Sequence, residues 1–262
     1  MTSEAVTYGR YLKIDELLSL QQPRADVEHD EMLFIVIHQV YELWFKEILH
    51  EFDYLRRLLA ESDAPRAQHT LKRILTILKV QVAQLDILET MTPTEFLTFR
   101  ERLESASGFQ SDQFRQLEFA MGRKSRSAVE RFAEGTRSRT QLEARWEQPT
   151  IWDALVHFLA EQGYAVPESV LHRDPTKPIE PSPELQAVLI EVYRNDPRNA
   201  ELCERFVDLD EGIQEWRYRH VKMVERTIGS KPGTGGSAGS GYLRTTLNVA
   251  LFPDLWQIRA RL

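Results

Sequence analysis

His220 lies on an apolar helix face in the last fifth of a chain of 262 residues. The stripe that contains it repeats at three- and four-residue spacing and includes Ile213, Trp216 and Met223. On spacing alone, a core histidine bonded to a neighbouring carbonyl is the simpler interpretation. The alternative is a proximal ligand to haem iron, because that role requires a neutral imidazole in an apolar wall.

His38 is the second histidine on an apolar face. It lies within about 60° of Phe34, Tyr41 and Phe45 on a predicted helix with 100° per residue. The pattern fits a packed histidine at the edge of the core. It fits equally a hydrogen-bond partner or base placed over a flat aromatic ligand.

Arg100 shares a predicted helix face with Phe96 and Leu103, at spacings of four and three residues. An arginine on an apolar face needs a carboxylate partner. An internal Asp or Glu is the simpler candidate, and the alternative is the carboxylate of a ligand, held by the bidentate guanidinium.

Two further motifs argue against metal clusters and disulfides. Glu47 and His50 form an E-x-x-H unit, but di-iron bundles need a second unit and the sequence has none. With one cysteine, Cys203, an internal disulfide and a cysteine-based zinc cluster are excluded. A reducing cytoplasm fits this composition.

Half of the 12 glycines lie between residues 229 and 241. The G-x-G-x-x-A pattern from Gly233 to Ala238 follows a predicted helix instead of a strand, so a dinucleotide-binding fold is rejected. The segment is either a backbone that wraps a ligand, with hydroxyls from Thr234 and Ser237, or a plain surface loop.

The elements that position these residues are predicted to be helices. Hydrophobic periodicity predicts long helices over about 31–59, 65–90 and 199–228, the last ended by Gly229. Thr92 and Glu95 predict a capping box at the start of the helix that carries Arg100. The very charged stretch 123–145 is interpreted as exposed helix or a peripheral insertion.

Composition limits the fold and the partners. A hydrophobic content of 42% fills a core, and a net charge of −7 argues against a nucleic-acid partner. The longest apolar run, residues 32–37, is too short to span a membrane, and no secretory signal is visible. We predict an all-α, single-domain protein over residues 1–262, built of long antiparallel helices.

Long ordered strings of this sequence resemble the tryptophan 2,3-dioxygenase family. The resembling stretches are YGRYLKIDELLSLQQP (8–23), HDEMLFIVIHQVYELWFKEILHE (29–51), TPTEFLTFRERLESASGFQSDQFR (92–115), WRYRHVKMVERTIGSKPGTGGSAGSGYL (216–243) and FPDLW (252–256). The resemblance implies an all-α domain that encloses a haem pocket, one haem b per subunit, and cleavage of the indole C2–C3 bond of L-tryptophan by O₂. The implied product is N-formyl-L-kynurenine, formed in the first step of the kynurenine pathway.

The resemblance also implies roles for single residues. His220 corresponds to the axial ligand of the haem iron, and His38 to the distal histidine that bonds the indole N–H. Arg100 matches the arginine that binds the substrate carboxylate, and Thr234 the residue that meets the ammonium and carboxylate groups. The other residues implied to line the substrate pocket are Phe34, Ile35, Val36, Ile37, Phe96 and Leu103.

The N-terminal arm, residues 1–25, is implied to reach a neighbouring subunit. Tyr8, Tyr11 and Leu12 match a segment that closes the pocket of that neighbour, and the family is usually a homotetramer. Phe96 departs from family members that have tyrosine there, so this chain would rely more on Arg100 for the carboxylate.

Two other functions remain open on the sequence. A relative in the same superfamily would oxygenate another indole or aromatic metabolite, but Arg100 and Thr234 suit an amino-acid substrate. A helical haem sensor would have no reason to combine His38, Phe34 and Arg100.

Overall fold

Two helices of 32 residues each form the centre of the molecule. The computed structural model describes residues 5–24, 28–234 and 239–262, and these contain helices and turns but no β-strand. The helices in chain order are α1 (Tyr8–Leu12), α2 (Ile14–Leu18), α3 (His29–Ala60), α4 (Ala64–Leu88), α5 (Pro93–Arg100), α6 (Asp112–Ala120), α7 (Arg126–Glu130), α8 (Arg137–Glu147), α9 (Ile151–Glu161), α10 (Glu168–Leu171), α11 (Pro183–Asn195), α12 (Pro197–Ile228), α13 (Ser240–Arg244) and α14 (Pro253–Gln257). Short 3₁₀ turns lie at Glu101–Leu103, Gly108–Gln110 and Ile258–Arg261. The all-α prediction is confirmed.

The main core lies where α3, α4 and α12 pack on one another. The buried face of α3 repeats every three or four residues through Tyr41, Phe45, Ile48 and Phe52, as an amphipathic helix requires. A three-residue turn joins α3 to α4, and Asp196 alone joins α11 to α12. Such short connections make consecutive helices antiparallel neighbours.

Helix ends follow the predicted signals. Thr92 accepts a hydrogen bond from the Glu95 backbone N–H, and the Glu95 side chain accepts one from the Thr92 N–H, so the predicted capping box is present. Helix α12 ends at Gly229, whose φ of 61° favours glycine. The helix bounds differ from those predicted by only a few residues.

The charged stretch 123–145 is not simply an exposed helix, the first of its two interpretations, because part of it is buried. Its helices α7 and α8 enclose a second small core of Phe119, Ala128, Val129 and Leu142. Arg139 is buried there, because its Nη1 donates to the carbonyl of Val129 at 3.0 Å. The stretch is therefore a peripheral unit with its own core, attached through α6.

The N-terminal arm contrasts with this packing, because α1 and α2 contain no buried residue. The end of the arm does contact its own chain. Gln21 donates to the side chain of Gln39, and Arg24 donates to Glu104 at 3.1 Å. None of the described arm residues, 5–24, is buried, but from Leu20 onward the arm is bonded to the rest of the chain. Within the described ranges, no helix is long and apolar enough to cross a membrane.

Candidate active site

A cavity opens between α3, α5, α6 and α12, and its mouth is lined by the segments 103–109 and 239–246. Both histidines singled out in the sequence face it, His38 from α3 and His220 from α12. Arg100 and Thr234 also line it. The fold therefore brings together four polar residues that lie far apart in the sequence, within a lining that is mainly apolar.

His38 is held in one orientation by its own helix. Its Nδ1 lies 2.7 Å from the carbonyl oxygen of Phe34, one turn earlier. A carbonyl only accepts, so Nδ1 carries the proton and Nε2 of the neutral ring is an acceptor. Burial lowers the pKa of His38, which favours this neutral form. The Phe34 ring lies 4.1 Å from the imidazole, centroid to centroid.

His220 lies in the α12 wall of the cavity, stacked on Trp216 with ring centroids 5.1 Å apart and an angle of 6° between planes. Burial, with a smaller contribution from the nearby His38, lowers the pKa of His220 to about 4. The ring is therefore neutral at physiological pH and keeps a lone pair for a ligand. No group of three or more His, Cys, Asp or Glu side chains suited to a metal ion occurs in the described part.

Arg100 ends α5 and is half-buried at the cavity. Its Nη2 donates to the carbonyl of Pro232 at 2.6 Å, and its buried Nε has no partner. In the described ranges, no carboxylate lies within ion-pair distance of its guanidinium, so the predicted internal ion pair is absent there. The remaining alternative for Arg100 is a ligand carboxylate.

Thr234 ties the glycine segment to the opposite rim, because its Oγ1 donates to the carbonyl of Ala106 at 2.6 Å. Gly239 has a φ of 59°, and a Cβ there would lie 2.6 Å from the carbonyl oxygen of Lys231. Glycine is therefore required at this position. Ser237, the other predicted hydroxyl, lies outside the described residues.

A buried ionic cluster in the cavity lining is not among the residues predicted from the sequence. Glu118 accepts from Arg115 through one carboxylate oxygen and from Arg217 through the other, the second at 3.0 Å. Both Glu118 and Arg217 are buried, and Arg115 keeps an unpartnered buried Nε. The available signal was Arg217, a charge next to Trp216 on the buried side of α12.

The remaining predicted pocket residues divide into two groups. Phe34, Ile37, Phe96 and Leu103 line the cavity. Ile35 and Val36 do not, because they lie on other faces of α3, and Val36 is 37% exposed. Of the arm residues, Tyr8 and Tyr11 are each 76% exposed and Leu12 is 42% exposed, and none of the three lines the cavity of its own chain.

Comparisons with known proteins cover nearly the whole chain. The family profile described as tryptophan 2,3-dioxygenase matches residues 1–148 and 182–262. A protein of Herpetosiphon aurantiacus named tryptophan 2,3-dioxygenase is 58% identical over 261 residues, which are 99% of this chain and 100% of that protein. Proteins with the same name from Anaeromyxobacter sp. and Caulobacter vibrioides are 55% and 46% identical, each over 99% of this chain and over 97% and 100% of their own length.

Proposed function

The chain belongs to the tryptophan 2,3-dioxygenase family, and we propose that it is a haem-dependent enzyme that cleaves the indole C2–C3 bond of L-tryptophan with O₂. Both oxygen atoms enter the product, N-formyl-L-kynurenine, so no further reductant is needed. This would be the first step of the kynurenine pathway, and a cytoplasmic location stays a prediction. The observation that carries the proposal is one apolar cavity containing two neutral imidazoles and an arginine without an acid partner in the described ranges.

The donor set of the cavity fits haem b. His220 offers a neutral imidazole in an apolar wall, as an axial ligand to iron requires. Arg115 and Trp216 each keep a buried N–H without a partner, and both residues line the cavity. Such donors suit the two propionate groups of haem b. When bound, the haem supplies O₂ binding and the redox chemistry that side chains lack.

The α3 side of the cavity fits the indole. Because Nδ1 of His38 is committed to Phe34, Nε2 is left to accept a hydrogen bond from the indole N–H. The rings of Phe34 and Phe96 line the cavity with centroids 5.8 Å apart and offer an aromatic surface to a flat ligand. The buried Phe99 ring supports both, at 5.6 and 5.4 Å. His38 thus orients the indole and has no need to remove its proton.

The amino-acid end of the substrate fits Arg100 and Thr234. We propose that the guanidinium of Arg100 binds the carboxylate, and that the hydroxyl of Thr234 meets the carboxylate and ammonium groups. Both side chains now bond backbone carbonyls across the cavity mouth, so the substrate would exchange these contacts for its own. Fixing both ends of the substrate holds the reacting bond in one place.

A neighbouring chain would complete the site. Tyr8, Tyr11 and Leu12 are exposed on an arm with no buried residue, and short helices of this kind are not stable without packing. We propose that they cover the cavity of a second subunit in a homotetramer. Two aromatic rings there would exclude water from the bound indole.

The test is product analysis with labelled oxygen. Purified protein should show a haem absorption spectrum, and with L-tryptophan and ¹⁸O₂ it should form N-formyl-L-kynurenine that carries two ¹⁸O atoms. A product with one labelled atom would indicate a hydroxylase. A protein with full haem content and no tryptophan-derived product would contradict the proposal.

A further inference from the structure

The peripheral unit, which runs from residue 123 to the end of α8 at Glu147, contacts the cavity rim through Arg131. Its small core holds α7 against α8, and Arg139 bonds the carbonyls of Val129 and Phe132 at 3.0 and 3.4 Å. These bonds fix the backbone at the end of α7. Arg131 directly follows this helix, so its position is set by the buried part of the unit.

Arg131 lies over an aromatic residue of the rim. Its guanidinium carbon is 4.3 Å from the ring centroid of Phe109, and no carboxylate of the described part pairs with it. Phe109 in turn meets the edge of Tyr242, with centroids 5.4 Å apart and an angle of 88°. Phe109 and Tyr242 both line the cavity, whereas Arg131 does not.

Phe109 needs such a support because its segment is otherwise held mainly by local bonds. The Phe109 N–H donates to the hydroxyl of Ser107, two residues earlier. The Gln110 N–H donates to the carbonyl of Ser107, which completes the turn. The bond from Thr234 reaches only Ala106, at the start of the segment. The position of the Phe109 ring therefore depends on its ring contacts, which are the edge of Tyr242 and the guanidinium groups of Arg131 and Arg115. Of the two cations, Arg131 is the nearer, at 4.3 Å from the ring centroid against 5.8 Å for Arg115.

We propose that Arg131 is a positioning residue, which holds Phe109 against Tyr242 and thereby sets the rim of the cavity that binds the substrate. Through this contact the peripheral unit would help to shape the substrate cavity. The expected effect on tryptophan binding rests on the proposed function, whereas the contact between Arg131 and Phe109 does not depend on it.

The test compares three variants of the full-length holoenzyme by hydrogen exchange and by kinetics. Arg131→Gln should raise amide exchange in residues 105–111 and KM for L-tryptophan by about two- to fivefold, the range for an exposed cation–π contact. kcat should change by less than about twofold, because no reacting group is touched. Arg131→Lys keeps a cation over the ring and should restore both values.

Arg126→Gln is the matched control. Arg126 lies in the same unit and its guanidinium carbon is 5.0 Å from the Trp146 ring centroid, away from the cavity lining. It should leave exchange in 105–111 and KM unchanged. Three outcomes would overturn the proposal. Arg131→Gln could show the exchange and KM of the wild-type protein, the Lys and Gln variants of Arg131 could have equal effects, or Arg126→Gln could cause the same changes as Arg131→Gln. A wild-type protein that does not turn over tryptophan would refute the proposed function, and the exchange comparison would still decide the role of Arg131.

Discussion

His38 and His220 face the same cavity from helices of equal length, but their surroundings differ. The Nδ1 of His38 is committed to the Phe34 carbonyl, and the Phe34 ring beside it packs on Phe96 of α5. The ring of His220 makes no hydrogen bond within the described ranges and lies parallel to Trp216.

This difference divides the cavity into two sides. The α3–α5 side combines an acceptor nitrogen, aromatic rings and Arg100, which together match an indole that carries a carboxylate. The α12 side offers a neutral imidazole whose two nitrogens have no hydrogen-bond partner among the described residues, which matches a metal ligand. Two histidines of similar burial are thus suited to different proposed roles, because only His38 has a ring nitrogen committed to a backbone carbonyl.

The largest expected effect is the loss of haem from His220→Ala. We expect the variant to lose most of its Soret absorbance, because the imidazole is the proposed axial ligand. His50→Ala is the control, since His50 is exposed and absent from the cavity lining. Full haem content with an unchanged ferrous spectrum in His220→Ala would remove the distinction between the two sides.

Arg100→Leu should raise KM for L-tryptophan by roughly 10- to 100-fold, the value of a lost charge-assisted pair. Binding of tryptamine, which lacks the carboxylate, should weaken far less. Arg102→Leu, an exposed arginine two residues away, should change neither. Equal weakening of both ligands would show that Arg100 is structural.

His38→Ala should keep its haem and slow turnover of tryptophan by about 10- to 100-fold, because a positioning hydrogen bond is lost. His157→Ala is a close control, because His157 Nδ1 lies 2.8 Å from the Asp153 carbonyl one turn earlier but outside the cavity. Haem content and turnover are measured on the same preparations. Loss of haem from His38→Ala would indicate that His38, and not His220, is the ligand of the haem iron.

Among these changes to the two sides of the cavity and its cover, deletion of residues 1–12 should have the smallest effect, about a tenfold loss of kcat/KM with haem retained, because the arm would cover the substrate and not the iron. Mixed oligomers distinguish an arm that covers the cavity of another subunit from an arm that covers the cavity of its own subunit. Truncated chains co-assembled with Arg100→Leu chains that have intact arms should regain activity. Mixed oligomers that stay as inactive as their parents would contradict the exchange of arms.

Much of the fold could be predicted because its signals are local. The capping box at Thr92 and the glycine end of α12 depend on neighbouring residues, and both are present. The faces of His38 and His220 followed from helical periodicity. That both face one cavity required the packing of α3 against the rest of the bundle, which periodicity does not contain.

What could not be predicted depends on partners far apart in the chain. Glu118 and Arg217 lie 99 residues apart, so their ion pair leaves no spacing to detect. The charge of the stretch 123–145 favours exposed helix or a peripheral insertion, and it gives no sign that one of its arginines, Arg139, is buried by bonding two carbonyls. Ile35 and Val36 were included from the resemblance, whereas the helical rotation of α3 directs them away from the cavity.

Chemical rescue tests the division of the cavity most directly. His220→Gly is loaded with haem in the presence and absence of imidazole, and the ferrous spectrum is compared with that of the wild-type protein. We predict that haem binding is lost without imidazole and returns with it, while His38→Gly binds haem without any addition. A folded His220→Gly that binds haem normally without imidazole, together with a His38→Gly that requires imidazole, would contradict the account.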